Sequence, residues 1–341
     1  MKKGIMLILM LAALVLSCED KGSNIPEWPW EDPAEEIVPE DATLDKWTEV
    51  SSSFGTLPAS VKVYKSPEYL EGKSAVAYAA IADMGSAQWD VWSVSSDDSY
   101  ATEDSYKTPS QVYADTQCAV VINGGYFYHS DGTNYTSSLA VSGSELLAYN
   151  INYASEDWKT IYYPTRAAFI EVEDGNFDAC WTYLNGDKHL MYPVPADNDW
   201  TVKPQPQPSE TYPEGALEFA ARTAIGGGPV LVNGGKFTDS YVAELFNGTS
   251  GIGPDTDQPR TAIGITADNK LVLFVCEGRE MTEGVKGLTT ADVANVLLDL
   301  GCVEAINLDG GGSSCMLVNG KETIKVSDGA QRAVASAVFI K

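Results

Sequence analysis

A chain of 341 residues, 44% hydrophobic and 10% aromatic, has enough apolar material for one large domain or two ordinary ones, which excludes a disordered protein. Its 48 acidic residues against 22 basic ones leave a formal charge of −26, which excludes nucleic acid and anionic membrane surfaces as partners, since both need a basic footprint. The same charge repels an anionic substrate at long range, so any anion site must be assembled locally.

Lys2 and Lys3 precede an apolar run over residues 5–16 that closes on Val15-Leu16-Ser17-Cys18. The run is short for a bilayer span and has the order of a secretory signal; an uncleaved anchor helix is the rival. A cysteine at the cleavage point resembles a bacterial lipobox. That resemblance implies removal of residues 1–17, a lipid on Cys18, and a place in the bacterial cell envelope with membrane contact only through the lipid. From Glu19 to Glu49 stand 11 acidic residues opposed by Lys21 and Lys46, with Pro26, Pro29, Pro33 and Pro39 among them. Such a segment buries too little apolar surface to fold alone, and residues 18–49 read as an acidic tether. Trp28, Trp30 and Trp47 are candidates to dock onto the domain that follows, residues 50–341.

Short Val-, Tyr- and Ile-rich runs predict strands at 60–64, 75–82 and 91–94, and a helix is expected over 107–116, starting near Pro109 and Ser110. The apolar run from Cys118 stops on Asn123-Gly124-Gly125, leaving a polar group at the end of a buried strand. Residues 128–138 read as a loop. Residues 131–215 alternate aromatic strands with turns and end in a proline-rich irregular stretch, 193–213; they form an insertion expected to border the site. Five cysteines remain beyond Cys18, an odd number without CxxC spacing, which fits buried thiols and neither a disulfide framework nor a zinc site. Two histidines, His129 and His189, are too few for a multi-histidine metal centre, and His129 reads as a loop residue.

The pentamer Arg-Thr-Ala-Ile-Gly then occurs twice, from Arg222 and from Arg260, each time leading into an apolar strand. The chain has only five arginines, and Arg222, Arg260 and Arg279 lie in these glycine-punctuated stretches. Guanidinium offers a planar fork suited to phosphate or carboxylate, although pairing with a structural acid is the alternative in so acidic a chain. Glu277-Gly278-Arg279 follows a strand ending at Cys276. A helix over 289–300 has Val293, Val296, Leu297 and Leu300 on one face, a capping-box-like start at Thr289 and Asp292, and a stop at Gly301. It feeds the strand that delivers Asp309 to Gly310-Gly311-Gly312-Ser313-Ser314. Three consecutive glycines suit close backbone approach to a ligand and an anion-binding turn; a flexible turn is the alternative. A hairpin over 316–324 and a strand over 333–340 complete the expected fold: α+β, a mixed or antiparallel sheet core with few helices and a strand-and-loop insertion.

With Asn123-Gly124-Gly125-Tyr126-Phe127, Arg260-Thr261-Ala262-Ile263-Gly264, Glu277-Gly278-Arg279 and Asn307-Leu308-Asp309-Gly310-Gly311-Gly312-Ser313-Ser314 in this order, the chain resembles the phosphodiester glycosidase family over about residues 75–341. The resemblance implies hydrolysis of a sugar-1-phosphodiester, with Asp309, Arg260 and Asn123 at catalytic positions. Around them a binding set of Gly310, Gly311, Gly312, Ser313, Glu277, Arg279, Thr261 and Arg222 is expected, with no cofactor. Glu277 stands where the family pattern has Asp, so its carboxylate reaches one methylene further. On this reading Arg260, with Arg279 and the glycine amides, holds the leaving phosphate, Asp309 is nucleophile or base, and Asn123 binds a sugar hydroxyl or orients water. Two other readings stand beside it: a non-catalytic glycan-binding surface lipoprotein using Trp181 and Trp200, and a structural calcium site built on Asp309, Glu277 and loop carbonyls.

Overall fold

The computed structural model describes residues 44–96, 100–173 and 175–341. The signal segment, Cys18, Trp28, Trp30 and the tether up to residue 43 lie outside the described residues. Sheets of eight, seven and five strands carry the architecture, and their ladders run antiparallel. Among the described residues the α-helices are Pro109–Thr116 and Thr290–Asp299. The domain is therefore predominantly β, with two covering helices, rather than an even α+β mixture, and the antiparallel form of the expected sheet is the one observed.

The apolar runs are continuous because both faces of the central strands are covered. Side chains alternate across a strand. In Lys270–Cys276, Leu271, Leu273 and Val275 enter the core shared by the three large sheets. Val272, Phe274 and Cys276 point the other way, into a second core beneath Thr290–Asp299. The shared core also takes Ile122 from the five-stranded sheet and Phe169 and Trp181 from the seven-stranded one. The second helix starts as its residues dictate: the Thr289 hydroxyl accepts from the Asp292 N–H, and the Asp292 carboxylate accepts from the Thr289 N–H. Asp292 also pairs with Lys73 at 2.6 Å.

Trp47 packs against the second core, and Thr48–Glu49 pairs with Val61–Lys65, so the folded domain begins within the segment whose composition reads as tether. Residues 128–138 are not a loop. Phe127–Ser130 and Thr133–Thr136 form a hairpin about Asp131-Gly132, both of positive φ, as an Asp-Gly hairpin turn requires. Phe127–Ser130 is largely exposed and Thr133–Thr136 is half-buried and mostly polar, so the pair lacks the apolar alternation that marks a strand in sequence. The five cysteines beyond Cys18 are free and buried, and burial pushes the Cys276 and Cys315 thiols up to about 12.

Candidate active site

The Cys302–Asn307 strand runs beside Arg260–Thr266, with Asn307 opposite Ala262, and this pairing places Asp309 at the mouth of the sheet. The turn is pinned from two sides. The Leu308 N–H donates to Thr261 O at 2.8 Å, and the Asp309 N–H donates to Gly124 O at 3.0 Å. Asn123, fully buried at the end of Val120–Asn123, donates from Nδ2 to Asp309 O at 2.7 Å. Its Oδ1 accepts from the Thr261 hydroxyl at 2.8 Å and from the Cys315 N–H at 3.2 Å. Asn123 and Thr261 thus lock the glycine turn from behind. Asn123 meets Asp309 at its backbone carbonyl, Thr261 meets the preceding Leu308, and neither lines the open cleft.

The turn itself explains the three glycines. Gly311 has φ +58, and a Cβ there would lie 2.7 Å from a terminal nitrogen of Arg279. At Gly312 a Cβ would collide with the Arg332 guanidinium and the Asp328 carboxylate. Backbone without side chains lets charged groups close onto it.

Above the turn opens a cleft of about 470 Å³. Its walls include Tyr126, Phe127, Tyr153, Trp200 and Phe246; Asp309 and Gly310 to Gly312 also line it. Tyr153, Arg166 and Trp200 come from the insertion, residues 131–215. Four of the chain's five arginines line this cleft, namely Arg166, Arg260, Arg279 and Arg332, and Asp309 is the one carboxylate among the described residues that does so. In a chain of charge −26, this is a local concentration of positive charge of the kind that an anion site would need.

The arginines have different duties. Arg260 is 1% exposed, and its guanidinium is engaged by carbonyls: Leu288 at 2.9 Å, Ile252 at 3.0 Å, Gly253 at 2.5 Å and Thr256 at 2.8 Å. It braces the 252–256 loop that walls the cleft, an arrangement that leaves little of its fork for a phosphate. Arg166 lies 4.2 Å over the Phe246 ring and donates to Glu244 O; burial lowers it to about 10. Arg279 and Arg332 are half-exposed, flank the glycine turn, and approach Asp328 from two sides.

Burial pushes the Asp309 carboxyl up to about 6, against the opposing effects of the Ser313 hydroxyl, the Arg332 charge and the Gly310 N–H. Ser313 in turn accepts from Arg332 at 3.3 Å. Glu277 does not reach the cleft. It is 3% exposed, one oxygen accepts from the Lys325 N–H at 2.9 Å, and the other has no hydrogen-bond partner. Arg222 lies elsewhere, 3.6 Å from Glu171 beside a separate pocket of about 280 Å³ that also contains Trp89. The two pentamers differ because Thr223–Gly226 belongs to the seven-stranded sheet and Arg260–Thr266 to the eight-stranded one. Residues that sequence reasoning missed are Arg166, Arg332, Asp328 and Phe246. The scarcity of arginine was the signal that could have found the first two.

Chemically, the cleft offers aromatic faces for a sugar, guanidinium groups for a phosphate, and one carboxylate poised to work at the junction between them. One carboxylate among guanidinium groups is not the oxygen-rich donor set of a calcium site.

The family model for phosphodiester glycosidases matches residues 116–341. The chain is 42% identical to the SPbeta prophage-derived protein YomE of Bacillus subtilis (strain 168) over 82 residues, which are 24% of this chain and 12% of that protein. Among solved structures, the fold is similar to the catalytic domain of zebrafish N-acetylglucosamine-1-phosphodiester alpha-N-acetylglucosaminidase, with TM-score 0.53, 19% identity, and coverage of 89% of this chain and 93% of that one. It is also similar to a hypothetical protein from Synechocystis, with TM-score 0.53, 16% identity, and coverage of 86% and 67%.

Proposed function

The chain belongs to the phosphodiester glycosidase family, and on that premise we propose that it hydrolyses the glycosidic bond of a sugar-1-phosphodiester, releasing the sugar and a phosphomonoester. The observation that carries this reading is a single carboxylate, Asp309, set among four of the chain's five arginines in an aromatic-walled cleft. Phosphate is already a good leaving group, so one carboxylate can suffice where ordinary glycosidases use two. Asp309 acts at the anomeric carbon, as nucleophile or as base for water. The bond between that carbon and the phosphate oxygen breaks, and its electron pair leaves with the phosphate. Arg279 and Arg332 neutralise the departing charge, with the Gly310 to Gly312 backbone beside them. Asn123 and Thr261 fix Asp309, and Arg260 fixes the loop opposite. The sugar rests against Tyr126, Phe127 and Trp200.

The test is turnover of sugar-1-phosphodiesters and of nitrophenyl glycosides by the wild type and by Arg279→Lys and Arg332→Lys. Each substitution keeps the charge and loses the planar fork. It should lower kcat/KM for phosphodiesters by about one to three orders of magnitude and harm neutral leaving groups less. Equal losses on both substrate classes would refute the phosphate role. Sugar binding without turnover of any phosphodiester would leave the glycan-binding lipoprotein instead.

For location, the proposal is a lipid on Cys18 that anchors the domain to the bacterial cell envelope, with the acidic tether as spacer; the lipobox-like run supports it. Cys18→Ala should shift the protein from the membrane to the soluble fraction, and unchanged fractionation would overturn the anchor.

A further inference from the structure

The two arginines that flank the glycine turn already share a counter-ion. Asp328 Oδ2 accepts from Arg332 Nε at 3.0 Å and from its Nη2 at 2.5 Å, while Asp328 Oδ1 lies 3.7 Å from Arg279 Nη1. Arg332 also donates to Ser313, and Arg279 to Gln258 Oε1 at 3.2 Å and to Ser327 Oγ at 3.4 Å. The carboxylate therefore sits between the two guanidinium groups and against Gly312, behind the face that Arg279, Arg332 and the glycine turn present to the cleft. No catalytic step above requires it there. Left alone, two arginines would present a charge of about +2 and would favour a dianion. With Asp328 between them they present about +1.

We infer that Asp328 is a specificity-determining residue that matches the anion site to the monoanion of a phosphodiester and against the dianion of a phosphomonoester. The inference rests on the proposed reaction and deepens it. A phosphodiester carries one charge at neutral pH, whereas a monoester carries about 1.5 to 2, its second ionisation lying near pH 6. The excess charge falls on the side of the site that already holds a carboxylate. The filter therefore does two things for hydrolysis: it admits the substrate, and it expels the phosphomonoester product, whose charge rises when the glycosidic bond breaks. Gly312 is part of the device, since a side chain there would displace both Arg332 and Asp328.

The experiment measures binding rather than turnover, by calorimetry on the intact chain with inorganic phosphate, a simple phosphomonoester such as methyl phosphate, and dimethyl phosphate. Wild-type protein should hold the diester in preference to the monoester at pH 8, where the monoester is a dianion and Asp309, raised to about 6, is ionised. Asp328→Asn is nearly isosteric and uncharged; it should tighten monoester and inorganic phosphate by about three- to thirtyfold at pH 8 and change the diester much less. Asp328→Glu, which keeps the charge, should retain the discrimination. A carboxylate that merely held the arginines in place would show itself otherwise, because its removal would weaken all three ligands together. Equal changes for monoester and diester in Asp328→Asn overturn the filter. Wild-type protein that binds neither ester overturns the anion site itself, and with it the proposed reaction.

Discussion

Asp309→Asn should lower kcat by at least about a thousandfold on phosphodiesters and on neutral-leaving-group glycosides alike, because the substitution removes the charge at the anomeric carbon while preserving shape. Ground-state binding should survive, so KM should change little. The pH profile of the wild type checks the same residue. With its carboxyl raised to about 6, Asp309 must be ionised to act, so kcat/KM should fall as pH drops through about 6. The variant should also be more stable than the wild type at neutral pH. A carboxyl whose folded value lies above its ordinary 3.8 stabilises the fold while protonated, below about pH 4, and that contribution is lost as pH rises through about 6. Asparagine stays neutral throughout. Discounted for the side chain's opening to the cleft, the gain at pH 8 should be about 1–2 kcal/mol, vanishing toward pH 4. An active Asp309→Asn enzyme would remove the residue on which the reaction depends.

Arg260→Lys should act through the fold instead. Four backbone carbonyls converge on that guanidinium, from Leu288, Ile252, Gly253 and Thr256, in a site that is 1% exposed. An ammonium has no planar fork and cannot reach all four, so buried carbonyls lose their partners at a total cost of about 2–4 kcal/mol. The melting temperature should fall by roughly 3–6 °C. Since the 252–256 loop walls the cleft, activity should fall on charged and uncharged leaving groups in equal proportion. An unchanged melting temperature with a loss confined to phosphodiesters would instead make Arg260 a direct phosphate clamp, as its position in the motif first implied.

What the sequence determined by itself is what local chemistry encodes. The helix from Thr289 follows from a reciprocal cap and an apolar face, both contained within a few residues. The strands through Val121, Val275 and Ile306 follow from apolar runs that only a doubly covered sheet accommodates. Asp309 stood out because three glycines after a buried strand have no packing purpose, and the structure gives them one in the approach of Arg279, Arg332 and Asp328. Tertiary structure decided everything that depends on which strand pairs with which. Identical pentamers send Arg260 into a buried brace and Arg222 to a separate pocket, because their strands join different sheets. Asn123 carries the polar group expected at a strand end, yet its amide is turned inward to Asp309 O, Thr261 and Cys315. Arg332 and Asp328 lie beyond the motifs, on a segment brought to the glycine turn by long-range packing. A side chain's identity is local, whereas its partners, its burial and hence its charge state are set by residues far away in sequence, and only the folded chain fixes them.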